Sequence, residues 1–185
     1  AGPARAHSPG GLRPGWGRAD LNSDVRHAPR WRGFAGILAS ALLLGVYALG
    51  GPAWVVGCFA LVPWLLALDG IRTARGALLS GALMSLGLVA AVFYWFGAAV
   101  GAYTGIGAAT GTALLFALAP LMQPQLLAFA LARHLAGRRH GPAMRALAGA
   151  AAWVAVEWAL PKLLGDTLGH GLFPSAPLRQ AADLG

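Results

Sequence analysis

Residues 76–96 read GALLSGALMSLGLVAAVFYWF, 21 residues without one charged side chain, approached through Arg72 and Arg75. As a helix rising ~1.5 Å per residue, this run covers the ~30 Å hydrocarbon core of a bilayer. Lipid offers no partner to backbone N–H and C=O groups. No strand-like alternation points to a barrel, so the run is read as a helix. Working outward, four more apolar blocks have the same character: Phe34–Leu49, Trp54–Leu68, Ala108–Ala132 and Ala143–Leu160. The first two are short and need tilt, local thinning or a helical hairpin to span. The fold class is therefore all-α, a polytopic membrane bundle of about five transmembrane helices. Residues 1–33, rich in Gly, Pro and Arg, are expected to form a disordered basic tail. Residues 34–160 form the transmembrane domain. Residues 161–185 are expected to form an outer loop segment leading to a further C-terminal part.

Composition and charge placement support this division. Charged residues make up 11% of the chain, against about 25% in soluble domains. The apolar share is 57% and the mean hydropathy +0.62. A formal charge of +8 suggests nucleic acid until the basic residues are placed. Arg5, Arg13, Arg18, Arg26, Arg30 and Arg32 precede the first block. Arg72 and Arg75 follow the second, and Arg133, Arg138, Arg139 and Arg145 lie between the fourth and fifth. Only Lys162 and Arg179 fall elsewhere, so 12 of 14 basic residues share one side. The positive-inside rule makes that side cytoplasmic, with the N-terminus inside and Gly50–Ala53, Gly97–Gly107 and Pro161–Gly185 outside. Anionic headgroups account for the arginines without nucleic acid.

Within the blocks, a few residues invite chemistry. Trp31, Trp54, Trp64 and the run Phe93-Tyr94-Trp95-Phe96 fit interfacial aromatic belts. Gly97, Gly101, Gly105, Gly107 and Gly111 fit close helix packing or a turn. Pro120 through Gln125 places prolines and two glutamines inside the fourth block, where a kink is expected. Gln123 and Gln125 need partners there, as interhelical glue or as a polar wall. Glu157, flanked by Trp153 and Trp158, is the sole carboxylate inside an apolar block and a functional candidate. Tyr94, Trp95, Gln123, Glu157 and Trp158 are the candidate lipid- or substrate-facing residues. Cys58, the only cysteine, has no base nearby in sequence and is expected to be an inert core residue. Asp166 and His170 are too few for a metal site, and neither metal nor cofactor is expected.

The order of these segments resembles the N-terminal membrane region of apolipoprotein N-acyltransferase, the last enzyme of bacterial lipoprotein maturation. Phe59-Ala60-Leu61-Val62-Pro63-Trp64-Leu65-Leu66-Ala67-Leu68 is similar to the family's second helix, and Phe93-Tyr94-Trp95-Phe96 to the aromatic end of its third. Pro124 through Ala132-Arg133-His134-Leu135 is similar to its fourth helix and basic exit. Trp153-Val154-Ala155-Val156-Glu157-Trp158 resembles the tryptophan and glutamate pattern of the next helix. Gly165 through Ser175 and Leu178 through Asp183 resemble a periplasmic loop of one branch. Two positions depart from the pattern. Leu160 stands where most members carry arginine, and Gly171-Leu172-Phe173-Pro174 replaces Gly-Phe-Pro-Trp.

The resemblance implies a multi-pass protein of the bacterial inner membrane with phospholipid and a bacterial apolipoprotein as partners. It implies transfer of an acyl chain from phospholipid to the N-terminal diacylglyceryl-cysteine of lipoproteins, through a thioester on a Glu-Lys-Cys triad in a nitrilase-like domain. That domain lies beyond the segments matched here. No residue of this sequence corresponds to the triad, so these 185 residues alone are expected to be inactive. Two rival classes share the composition. In a small transporter or channel subunit, Gln123, Gln125 and Glu157 line a path. A non-catalytic scaffold uses the Gly-rich faces instead.

Overall fold

The computed structural model describes residues 31–160, 173–177 and 180. Nearly all of the tail, Asp166, His170 and most of the segment after Leu160 lie outside these residues. The elements are α1 (Trp31–Ala48), a 3-10 turn (Gly51–Ala53), α2 (Trp54–Gly57), α3 (Val62–Asp69), α4 (Ala74–Val92), α5 (Tyr94–Thr104), α6 (Ala108–Met122), α7 (Pro124–Gly137) and α8 (Pro142–Ala159). Helix α1 thus starts three residues before the boundary drawn at Phe34.

Among the described residues, three segments are long and apolar enough to cross a membrane: Trp31–Ala48, Gly51–Asp69 and Ala74–Val92. The pair α6 and α7, bent by 42° at Gln123, brings the number to four if it is counted as one broken span. Helix α8 has 18 residues but carries Arg145 and Glu157. The all-α membrane class stands, with the number of crossings close to the five expected.

Helix α4 is central, packing against α1, α6 and α7. Its start is set by Thr73, whose side chain accepts from the Gly76 N–H at 3.0 Å. Such a cap stabilises a helix by about 1 kcal/mol. The core runs from Leu44 and Trp64 through Met84 to Leu126. The aromatic rings of Trp64, Phe129 and Trp153 tie α3, α7 and α8 together, with centroids 5.6 and 6.1 Å apart. Leu38, Leu42, Leu66, Leu79, Leu147 and Val154 are exposed, as lipid-facing residues of a membrane bundle are.

Three expectations are corrected. The second block is not one continuous helix but breaks over residues 58–61. Pro63 has no N–H to continue the ladder, and the Trp64 N–H donates instead to Ser40 Oγ of α1 at 2.9 Å. Trp64 is no belt anchor: it is 0% exposed, and its Nε1–H donates to Ser80 Oγ at 3.0 Å. A buried indole keeps its donor satisfied, and a serine one helix away supplies the acceptor. Cys58 is not core either, because it falls on that interruption and is exposed.

A fourth difference concerns Gly97–Gly107, expected as an outer connection. Most of it is helix α5, which folds back on α6 as a hairpin. The two backbones approach so closely that a Cβ on Gly97 would stand 2.6 Å from Thr112 Cα. One on Gly111 would stand 2.8 Å from Gly101 Cα. Only Gly105 and Gly107, at φ 77° and 89°, make the turn. These left-handed values favour glycine.

Candidate functional site

The expected site residues occupy two levels of the bundle. Gln123 sits at the α6–α7 break. Its N–H donates to the Ala119 carbonyl at 3.1 Å, and its own carbonyl accepts from the Leu126 N–H at 3.2 Å. Pro124 cannot carry the α6 ladder onward, so Gln123 ends one helix and begins the next. Its side chain is 2% exposed and its Oε1 accepts from Gln125 Nε2. Ser85 of α4 lies alongside: its Oγ donates to the Gly81 carbonyl at 3.0 Å and lies 3.5 Å from the Gln123 carbonyl. The break is therefore a closed polar node within an apolar core.

Glu157 and Trp158 come from the last turns of α8. Helices α7 and α8 run antiparallel, with Gly137 against Arg145 and Gly149 against the Phe129 ring. Carried on, this register sets Glu157 level with the Gln123 break. Helical rise agrees: both lie ~20 Å or slightly more from the arginine-rich ends of their helices. Glu157 is half-buried, whereas Trp158 is 89% exposed.

Tyr94 and Trp95 open α5, just past the Phe93 break that ends α4. They are 66% and 55% exposed, and Trp95 meets Phe96 edge to face at 5.7 Å. Counted along α4 they stand ~30 Å from its arginine-bearing start, a full hydrocarbon thickness. Tyr94, Trp95, Glu157 and Trp158 thus share the half of the bundle remote from the arginines. Helix α8 packs mainly on α7 and α5 mainly on α6, so they line that half from two sides rather than forming one contacting group.

At the opposite end lies a cluster that sequence reasoning missed. Asp69, at the end of α3, pairs with Arg133 of α7 at 2.9 Å and Arg145 of α8 at 3.2 Å. The signal was present: Asp69 is the sole carboxylate amid the basic connections. Its partner Arg133 lies 64 positions away, so only packing brings them together.

Among the described residues, these side chains form a buried polar node, an exposed aromatic rim and an ion-pair cluster. The family model of the apolipoprotein N-acyltransferase N-terminal domain matches residues 35–185. No curated protein and no solved structure matches the chain.

Proposed function

This chain belongs to the apolipoprotein N-acyltransferase N-terminal domain family, and from that premise we propose that it supplies the membrane platform of the acyl-transfer reaction. The proposed reaction moves an acyl chain from a phospholipid to the N-terminal diacylglyceryl-cysteine of a lipoprotein. Covalent chemistry of that kind needs an activated nucleophile beside a base. Cys58 stands on an interrupted span with no such role, so the chemistry belongs to a nitrilase-like domain that this platform serves.

The observation that carries the reading is the match over residues 35–185. The half remote from the arginines adds to it. Exposed Tyr94, Trp95 and Trp158 suit the headgroup and upper acyl region, where amphipathic rings concentrate. Half-buried Glu157 adds a carboxylate at that end among the described residues. In this reading the arginine-rich end faces the cytoplasm of a bacterial inner membrane, and the aromatic end faces outward. Acyl donors then reach the reaction laterally, between α8 and the α5–α6 hairpin.

A photoactivatable phospholipid in proteoliposomes tests the platform. The expected result is preferential labelling of peptides containing Tyr94–Trp95 and Glu157–Trp158. Uniform labelling of every lipid-exposed helix, with no enrichment there, overturns it. The 185-residue chain alone is expected to yield no N-acylated lipopeptide.

A further inference from the structure

The Asp69 cluster lines a pocket of about 230 Å³ at the arginine-rich end. Its wall carries Asp69, Arg72, Arg133, His134, Arg138 and Arg145. Four arginines and one carboxylate therefore line one pocket. Asp69 engages one Nη2 of Arg133 and one of Arg145. The Nε atoms of both arginines, and Nε2 of His134, are buried without a hydrogen-bond partner among the described residues. A buried charged donor without an acceptor is costly. Nε–H and Nη–H of one guanidinium form the fork that binds two oxygens of a phosphate at once.

Asp69 is already shared between two arginines and is the one carboxylate in the pocket wall, so an acceptor for the remaining positive charge comes from outside the described residues. Leu68, Ile71 and Ala130 give the pocket an apolar floor, and the nearby helix surfaces expose Leu66 and Leu135. Such surroundings suit a group that arrives with an acyl chain. Basic pockets between helices at one face of a membrane bundle hold anionic headgroups by this chemistry.

We propose that this pocket binds a phosphate group, presented by the headgroup of an anionic lipid at the arginine-rich end of the bundle. Asp69 holds Arg133 and Arg145 in place. The outward N–H groups of these two guanidinium groups, with those of exposed Arg72 and Arg138 in the same wall, grip the phosphate. The site is at the far end from Tyr94 and Trp158, so it is an anchoring site and not the acyl-donor site. It does not depend on the acyl-transfer reading, and its test measures lipid retention, so either can fail alone.

The test titrates the delipidated full chain in detergent with dioleoylphosphatidylglycerol or dioleoylphosphatidylcholine, read by native mass spectrometry, with and without inorganic phosphate. The Arg72→Gln/Arg138→Gln variant removes two wall arginines, both exposed and neither paired with Asp69, so folding is retained. The Arg75→Gln/Arg139→Gln variant removes equal charge from exposed positions outside the pocket. The expected result is preferential binding of phosphatidylglycerol, weakened about 25-fold by the first variant at about fivefold per arginine, and changed by less than about twofold in the second. Equal weakening by both variants reduces the effect to diffuse surface attraction and overturns the proposal. Equal binding of phosphatidylcholine overturns it too. Saturation by inorganic phosphate without preference for phosphatidylglycerol assigns the pocket to a free anion and overturns the lipid source.

Discussion

Replacing Ser80 by alanine removes the acceptor for the indole N–H of Trp64. That N–H is in the most buried part of the core: Trp64 is fully enclosed, and the bond to Ser80 Oγ is 3.0 Å long. An orphaned buried donor costs about 1–3 kcal/mol, while interhelical hydrogen bonds in membrane proteins are worth ~0.6 on average and ~1.7 kcal/mol at most. The expected loss is therefore about 1–2 kcal/mol. Trp64→Phe removes the donor instead, and the freed Ser80 hydroxyl turns to its own i−4 carbonyl. On that background Ser80→Ala should be nearly silent, giving a coupling of about 1 kcal/mol between the two positions. Reversible unfolding in mixed detergent and dodecyl sulfate micelles measures each variant. If Ser80→Ala costs the same on both backgrounds, within about 0.3 kcal/mol, the bond does not hold α3 to α4 and the assignment of Trp64 fails.

In a Cys58→Ser background, single cysteines at residues 72 and 139 should react only from the cytoplasmic side and one at residue 104 only from outside; the opposite pattern reverses the orientation. Gly111→Leu should separate α5 from α6 and destabilise the chain by about 1–3 kcal/mol, since backbone stands where the new side chain must go; a loss under about 0.5 kcal/mol in the same unfolding assay would contradict the close approach. With its catalytic domain present, Glu157→Gln should impair growth complementation more than Glu157→Asp, because a desolvated carboxylate persists only where its charge is used. Normal growth of the Glu157→Gln strain at equal protein level would leave Glu157 as a solvated interfacial residue.

The bundle was legible because uncharged runs of membrane length admit few structures, and the arginines between them mark one end. What was hidden turned on partners distant in sequence. The break in the second block went unread although Pro63 stands beside it, and only Ser40 of α1, which takes the Trp64 N–H, shows how the break is stabilised. Trp64 reads as an interfacial residue until α1, α4 and α7 close over it. The stretch from Gly97 to Gly107 is ambiguous in sequence, since glycine every fourth residue serves a loop or a tight helix pair equally well. Among the candidate residues, Gln123 was flagged by its polarity in an apolar block, and the structure puts it at the bend. Asp69 escaped because its meaning lies in Arg133 and Arg145, brought to it by the packing of α7 and α8 around α3 and α4.

The most direct test of the platform reading joins this chain to the nitrilase-like catalytic domain of a family member. It then measures acyl transfer from phospholipid to a diacylated lipopeptide in lipid–detergent micelles. The account predicts N-acylated product from the joined protein and none from the catalytic domain by itself. A joined protein that inserts fully, whose catalytic cysteine reacts with a thiol probe, and that still forms no more product than the catalytic domain alone would contradict it.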